Sequence, residues 1–368
     1  MSKVLYLSNS IIPSQTANSV HVMKMCSAFR SEVHDVTLLC KTKNKRDLTN
    51  DIFSEYQTEN EFEIKSYTIG DGFFSRFRSL VVSFLFFPFY ILRNARNSDI
   101  IYSRNRHASF ILCLLRIKHD YEMHGISKFG VQAFIDKKIY HSKYTKSIIV
   151  ISKSLKLDLE LEFGLIGDKI KIAHDGADEI EINSVKKIDL KGSIHAGYVG
   201  SLLEGKGVDM ICHVAPYFPN VTFHIVGGSS EEINELKKKH GHQNLIFYGY
   251  VNQIKVKSFL KAFDFVMLPN KSSVITSNGE DIGKYTSPLK LFEYLAFNKV
   301  IIASRISSFL EVVSDDDVYF FQESNLNDFK KAIENVLLGE KKLNDGKGLI
   351  KTKYSWDMRV SYLLGKDV

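Results

Sequence analysis

Two segments carry residues whose types and spacing suit chemistry on an anionic ligand. One is Ser287-Pro288-Leu289-Lys290-Leu291-Phe292-Glu293-Tyr294-Leu295-Ala296, followed by Asn298-Lys299 and the β-branched run Val300–Ser304. It reads as a loop, a helix opening near Ser287–Pro288, and a strand. Proline in a first helical turn is harmless, because its missing N–H would have no intrahelical partner there. The free N–H groups of such a helix start attract an anion. Glu293 lies two turns in, within reach of a hydroxyl beside bound phosphate; an exposed Glu on an ordinary amphipathic helix would look the same. The other segment is Gly197-Tyr198-Val199-Gly200-Ser201-Leu202, then Gly205-Lys206-Gly207-Val208-Asp209. A strand that ends in glycine lets backbone approach a ligand. The ammonium of Lys206, placed just before a helix, can neutralise a diphosphate without a metal. The GxxxxGK[ST] spacing of a P-loop is absent.

Such residues need elements to hold them. Strand-like runs occur at Val4–Ser8, Val36–Leu39, Phe62–Thr68, Ile100–Ser103, Tyr121–His124, Ile148–Ser152 and Ile170–His174. A second series follows at Ala196–Gly200, Thr222–Gly227, Leu245–Tyr248, Phe265–Pro269, Val300–Ser304 and Val318–Phe321. Helical patterns separate them. One runs from about Ser19 to Arg30, with Val22, Met25, Cys26 and Phe29 at the 3.6 period and Asn18 or Ser19 as the cap. Strand and helix in alternation imply α/β architecture, with parallel sheets covered on both faces. The fold expected is therefore two Rossmann-like domains facing a cleft. The polar stretch 179–189 suggests domains at 1–184 and 185–350, with a terminal helix in 351–368 returning to the first domain. Ligands of such sheets bind outside the carboxyl ends of the strands, so chemistry should come from loops after strands.

Order turns these weak signals into a specific one. With Phe223–Gly228, Phe247–Val251 and Asp264–Pro269 between them, the two segments resemble the nucleotide-binding domain of retaining GT-B glycosyltransferases, in particular their large fourth family. Less specifically, Asp120-Tyr121-Glu122-Met123-His124-Gly125 resembles the strand end that bears that family's active-site histidine. Ile151–Leu155, His174–Asp178 and Tyr354-Ser355-Trp356 extend the likeness to the whole chain. The resemblance implies a UDP- or GDP-sugar as donor and no cofactor or metal. It implies that Lys206 holds the donor's diphosphate and Glu293 its ribose hydroxyls. Ser287 and Leu289 would offer backbone N–H groups to the phosphates, Gly249, Tyr250 and Val251 would line the base pocket, and His124 would approach the sugar. The implied reaction is retaining transfer of a hexose to a hydroxyl of a growing surface glycan.

The chain departs from that family's pattern at three places. Ser201 stands after Gly200 where an Arg usually pairs with the Lys, and Lys290 or Lys284 is left to supply its charge. Tyr285 replaces a glutamate eight positions before Glu293. The N-terminal Gly-Gly loop is replaced by Thr16-Ala17-Asn18-Ser19, which makes Thr16 and Asn18 candidates at the acceptor side. Glu122 either orients His124 or faces solvent, and Arg104 either faces the cleft or is a surface residue. His21, His107, His195 and His224 read as structural or surface groups. The losses at Ser201 and Tyr285 keep two rivals in view, a silent sugar-nucleotide-binding partner and a 2-epimerase on the same fold.

Composition narrows the setting. The chain has 368 residues, 44% hydrophobic and 25% charged, which is ample for a core and excludes a disordered protein. Cys26, Cys40, Cys113 and Cys212 lie far apart, so neither a zinc site nor a disulfide framework is expected, and a reducing, cytoplasmic setting fits. The start, Met1-Ser2-Lys3-Val4, runs into a strand with no visible secretory signal. The formal net charge is +7, yet Lys65 to Lys146 holds 14 basic and 5 acidic residues. That stretch includes the run Leu80–Leu92, flanked by Arg76, Arg78, Arg93 and Arg96. Interrupted by Pro88, it is too short to span a bilayer. It is either a core helix or a basic, aromatic face resting on an anionic membrane from the inner side. No nucleic-acid motif accompanies it.

Overall fold

A computed structural model gives the architecture. It describes residues 2–366 apart from 15, 33, 50, 70–76, 78–80, 82–86, 128, 166, 276–282, 286 and 340–342. The chain forms two compact units, one of residues 1–174 with 356–368 and one of residues 175–355. The border expected at 184/185 therefore falls inside the second unit. The reason is local: the Ala177 N–H donates to Tyr354 O at 3.0 Å, and Ala177, Ile180, Ile350 and Tyr354 are all buried in that unit's core. Only from Trp356 onward does the terminal segment rejoin the first unit.

The first unit is built on seven parallel strands: β1 (Lys3–Ile11), β2 (Asp35–Thr42), β3 (Glu63–Thr68), β4 (Ile100–Arg104), β5 (His119–Met123), β6 (Thr145–Val150) and β7 (Ile170–Ile172). Their order in the sheet is β3-β2-β1-β4-β5-β6-β7, so the connection reverses direction between β1 and β4. Helices α1 (Ala17–Ser31), α2 (Phe87–Asn94), α3 (Arg106–Leu114), α4 (Gly130–Tyr140) and α5 (Lys153–Phe163) connect them, and α6 (Trp356–Leu363) closes the unit against α1. Thr16 caps α1, accepting from the Ser19 N–H at 3.3 Å. The cap expected at Asn18 or Ser19 is thus two residues early. Those side chains are spent elsewhere: the Asn18 amide donates to Ser10 Oγ at 2.7 Å and the Ser19 hydroxyl to Ser14 O at 2.7 Å.

The second unit holds six parallel strands, β8 (Ile194–Val199), β9 (Val221–Val226), β10 (Leu245–Gly249), β11 (Phe265–Leu268), β12 (Val300–Ser304) and β13 (Tyr319–Phe321). Their order, β10-β9-β8-β11-β12-β13, reverses between β8 and β11. Helices α7 (Val208–Val214), α8 (Ser230–Lys239), α9 (Gln253–Ala262), α10 (Leu289–Ala296) and α11 (Leu326–Leu338) complete it. Phe259, Phe263, Leu291, Phe292 and Leu295 pack one face of the sheet, and Ile211, Phe223, Phe329 and Ile333 the other. Fully burying each such side chain contributes about 1.5–3 kcal/mol. In doubly wound sheets a ligand binds at the point where strand order reverses. Each unit has one such point.

Part of the run Leu80–Leu92 lies outside the described residues, as do Arg76 and Arg78. In its described part, α2 is two-sided: Phe87 and Ile91 are buried while Phe89 is 70% exposed. Among the described residues no helix is long and apolar enough to cross a membrane.

Candidate functional site

In the second unit the carboxyl ends of β8, β9 and β10 meet backbone to backbone. The Gly200 N–H donates to Val226 O at 3.0 Å, and the Gly227 N–H to Gly249 O at 2.8 Å. Gly227 has φ +124°, and a Cβ there would stand 1.9 Å from Gly200 O. Only glycine permits this approach. Ser201, exposed, follows Gly200, and its carbonyl accepts from the Tyr198 hydroxyl at 2.7 Å. Beyond Gly249 come exposed Tyr250 and half-buried Val251.

The backbone on both sides of Lys206 is pinned. The Lys271 N–H donates to Gly205 O at 2.7 Å. Gly207 has φ +72°, and a Cβ there would lie 1.8 Å from Pro269 O. Among the described residues no carboxylate or carbonyl pairs with the half-buried Lys206 ammonium. Burial, and then the neighbouring charge of Lys290, push its pKa below the ordinary lysine value. A cation near a second cation, with no described counter-charge of its own, suits an anion.

Helix α10 brings the acidic partner. The Tyr294 hydroxyl accepts from the Val199 N–H at 2.8 Å, clamping the helix to the end of β8. The Glu293 carboxylate takes the Lys290 ammonium at 2.7 Å, an i,i+3 pair in which both side chains are 29% exposed. The start of α10 corrects one expectation. The Leu289 N–H, expected to face phosphate, donates to Ser287 O at 3.0 Å. Buried Ser287 has its own hydroxyl accepting from the Asp175 N–H at 3.1 Å. With Pro288 as the N-cap, the chain turns tightly there and spends these groups internally. Half-buried Tyr285 lies in the short turn Gly283–Tyr285. The Lys284 side chain is outside what is described, so Lys290 is the described cation beside Lys206 in place of the missing Arg.

In the first unit the candidates gather around one carboxylate. Glu122, on β5, is 1% exposed. Its Oε1 accepts from His124 Nε2 at 2.7 Å, faces His21 Nε2 at 3.0 Å, and has Arg104 Nε at 3.7 Å. Its Oε2 accepts from the Tyr102 hydroxyl and pairs with Arg359 at 3.2 Å. Burial opposes the charge on Glu122. Arg359 first, then His21 and His124, overcome that cost and hold its pKa well below the usual carboxylate range. His124 also faces Arg104, whose guanidinium reaches Nδ1 at 3.3 Å and Asn18 O at 3.5 Å. Burial and the Arg104 charge push the imidazole down to about 4. Thr16 is occupied at the start of α1, and Asn18 by Ser10. Just beyond His124, Ser127 accepts from Arg106 at 2.8 Å, and Arg106 also pairs with Asp136 at 2.6 Å.

His21, expected to be a structural or surface group, is buried within this cluster: its ring lies 5.6 Å from that of His124 and 5.3 Å from that of Trp356. Tyr102 and Arg359 carried no sequence signal at all. Glu122 does not face solvent; its side chain contacts two histidines and two arginines. His224, by contrast, sits in a separate buried pair, 3.1 Å from His195 Nδ1, and burial pushes it down to about 4. Among the described residues His21, Glu122 and His124 are the group whose ligating atoms lie within 4.8 Å of one another. Two guanidiniums already neutralise that single carboxylate, and a third positive charge there would be repelled. The trio is a hydrogen-bonded charge cluster and a poor cation site.

Comparison with known proteins gives these arrangements a context. Residues 180–348 match the model of the family described as Glycosyl transferases group 1. The chain is 24% identical over 255 residues to an uncharacterized glycosyltransferase of Methanocaldococcus jannaschii, covering 62% of each chain. Among solved structures it resembles HepE of Anabaena in complex with UDP and glucose, with a TM-score of 0.70, 14% identity, and 99% and 100% of the two chains covered. It also resembles the lipopolysaccharide outer core galactosyltransferase WaaB, with a TM-score of 0.67, 14% identity, and 98% of each chain covered. At these identities the structural likeness is one of fold, and that fold is GT-B-like.

Proposed function

We propose that this chain, whose second unit carries a group 1 glycosyltransferase domain, is a retaining, metal-independent hexosyltransferase. It uses a nucleoside diphosphate sugar and a hydroxyl of a growing surface glycan. The observation that carries the reading is the ammonium of Lys206, without a counter-charge among the described residues and near Lys290, on backbone pinned at the carboxyl ends of the strands. HepE, of the same fold, is seen with UDP and glucose, which makes UDP-hexose the first donor to try.

When the glycosidic bond to the donor breaks, negative charge grows on the leaving diphosphate. Lys206 meets that charge, and preorganised stabilisation of this kind is worth about 2.7–4 kcal/mol per donor. Glu293 exchanges Lys290 for the ribose hydroxyls, freeing Lys290 for the phosphates. Gly249, Tyr250 and Val251 present backbone to the base. In the first unit His124 is fixed by Glu122 and Arg104 and helps orient the reacting sugar. The resemblance implies same-face attack, with the leaving phosphate taking the acceptor's proton. The likeness in fold to WaaB puts a lipopolysaccharide-type glycan first among acceptors. Its synthesis at the inner face of a membrane suits the basic surplus between Lys65 and Lys146, with exposed Phe89, Arg93 and Arg96 as described contacts.

The test is incubation with a panel of UDP- and GDP-hexoses, with and without glycan acceptors, following nucleotide release and sugar configuration. Acceptor-dependent release with retained configuration is expected. Donor binding without turnover would make the chain a silent sugar-nucleotide-binding partner, and free UDP with an altered sugar would make it an epimerase.

A further inference from the structure

The cluster around Glu122 leaves only one arrangement of the His124 protons. An ionised carboxylate only accepts hydrogen bonds, so the nitrogen 2.7 Å from Glu122 Oε1 carries the hydrogen. A guanidinium only donates, so the nitrogen 3.3 Å from Arg104 offers a lone pair. The ring is therefore neutral, with Nε2 protonated and Nδ1 bare. What remains is why a buried carboxylate at 2.7 Å does not hold its histidine as the imidazolium.

The answer lies on the last helix. Arg359 is 4% exposed, and each of its nitrogens has a partner. Nε donates to His174 O at 2.9 Å, Nη2 to Ala173 O at 3.2 Å, and Nη1 lies 3.0 Å from the Met25 sulfur. Nη2 also lies 3.2 Å from Glu122 Oε2, on the side away from His124. We infer that Arg359 is a positioning residue: by taking Oε2 of Glu122, it leaves Oε1 to hold the imidazole of His124 in one orientation and one tautomer. This rests on the reading that His124 orients a reacting sugar. A neutral ring adds no positive charge beside the sugar, whereas an imidazolium repels the positive charge that develops there.

Other charged or titratable groups face the cluster from every side. Tyr6 comes from β1, His21 from α1, Tyr102 and Arg104 from β4. Burial and the Glu122 charge push both tyrosines well above their ordinary value, so they stay neutral. Arg104 reaches both Glu122 Oε1, at 3.7 Å, and His124, whereas Arg359, at 3.2 Å from Oε2, is the nearer cation on Glu122. Without it Glu122 keeps only the more distant Arg104, and a proton on His124, the imidazole nearest Oε1, becomes easier to hold.

The experiment uses the full chain with histidines labelled at 13Cδ2 and 13Cε1 and the His124 signals assigned from a His124→Asn spectrum. In the wild type the ring should show the Nε2–H tautomer at pH 7 and no titration between pH 5.5 and 8. In Arg359→Gln its titration midpoint should rise by two pH units or more, and Arg359→Lys should bring most of that shift back. A wild-type ring that titrates near 6.5 or shows the Nδ1–H tautomer overturns the inference, even should the variant not fold. An unchanged midpoint in a folded Arg359→Gln also overturns it. Turnover separates this inference from the reading beneath it. A roughly tenfold fall in kcat with unchanged donor KM, reversed at alkaline pH, supports both. The tautomer and midpoint as expected with kcat unaltered uphold Arg359 and remove His124 from the reaction.

Discussion

The two candidate sites solve opposite electrostatic problems. Around Glu122 every strong charge has a partner: one carboxylate meets two guanidiniums, two imidazoles and a phenol within one buried cluster. Around Lys206 the described residues leave one half-buried ammonium without a counter-charge, beside a second lysine whose own charge is met by Glu293. The first arrangement is complete without ligand, and the second is complete only with an anion. A site that must orient should be stiff and satisfied in advance. A site that must bind and release a polyanion keeps its unmet charge for the ligand.

The sharpest way to break this contrast is to remove a charge from the satisfied site. Glu122→Gln leaves Arg359 and Arg104 buried without a counter-charge, and breaking a buried pair costs about 3–5 kcal/mol. Denaturant unfolding should register that loss; a cost below about 1 kcal/mol would mean that water already reaches the cluster. At the other site Lys206→Ala should leave melting almost untouched while turnover at saturating donor drops about 100–1,000-fold. Wild-type turnover would strip Lys206 of its role.

Acid should weaken the molecule ahead of its carboxylates, mainly through the first unit. Burial holds His119, His124 and His224 down to about 4, while the unfolded chain takes up those protons near 6.5. Between these values the unfolded state binds more protons, so stability present above pH 6.5 is lost as pH falls toward 4. A melting temperature at pH 5 about 5–10 °C below that at pH 7.5 is expected, with His119→Asn reducing the difference. A flat profile from pH 7.5 to 5 would contradict the buried neutral histidines. The smallest effect belongs to Glu293→Ala. Its loss should raise donor KM about tenfold with little change in kcat, because ribose contacts are equal in ground and transition states. A fall in kcat at unchanged KM would assign Glu293 to the chemistry instead.

The sheets were legible because they announce themselves locally. All thirteen strands among the described residues overlap the strand-like runs read from the sequence, and the glycines at Gly200, Gly227 and Gly249 mark where three of those runs end. The Lys290–Glu293 pair follows from helical spacing alone. The Glu122 cluster was not legible, since its members come from β4, β5, α1 and α6. His21 has the pattern of any core-facing helical residue, and Arg359 that of any basic residue on a terminal helix. Nor does the sequence say that Leu289 turns its N–H back onto Ser287, because that depends on the tight turn at Pro288. Pairings between distant segments are decided by packing, and packing leaves no local period.

The return of the chain to the first unit at Trp356 bears on how the protein is made. Arg359 and Met25 touch, yet they are 334 residues apart. At about 5–20 residues per second, synthesis needs on the order of half a minute to cover that gap. Throughout it Glu122 has Arg104 as its one guanidinium partner among the described residues, so the growing chain can assemble the sheet before its centre is fully paired. The helix Trp356–Leu363 therefore works as a lock fitted after the sheet it closes. A chain that lacks this helix leaves a first unit whose buried carboxylate has lost its nearer guanidinium.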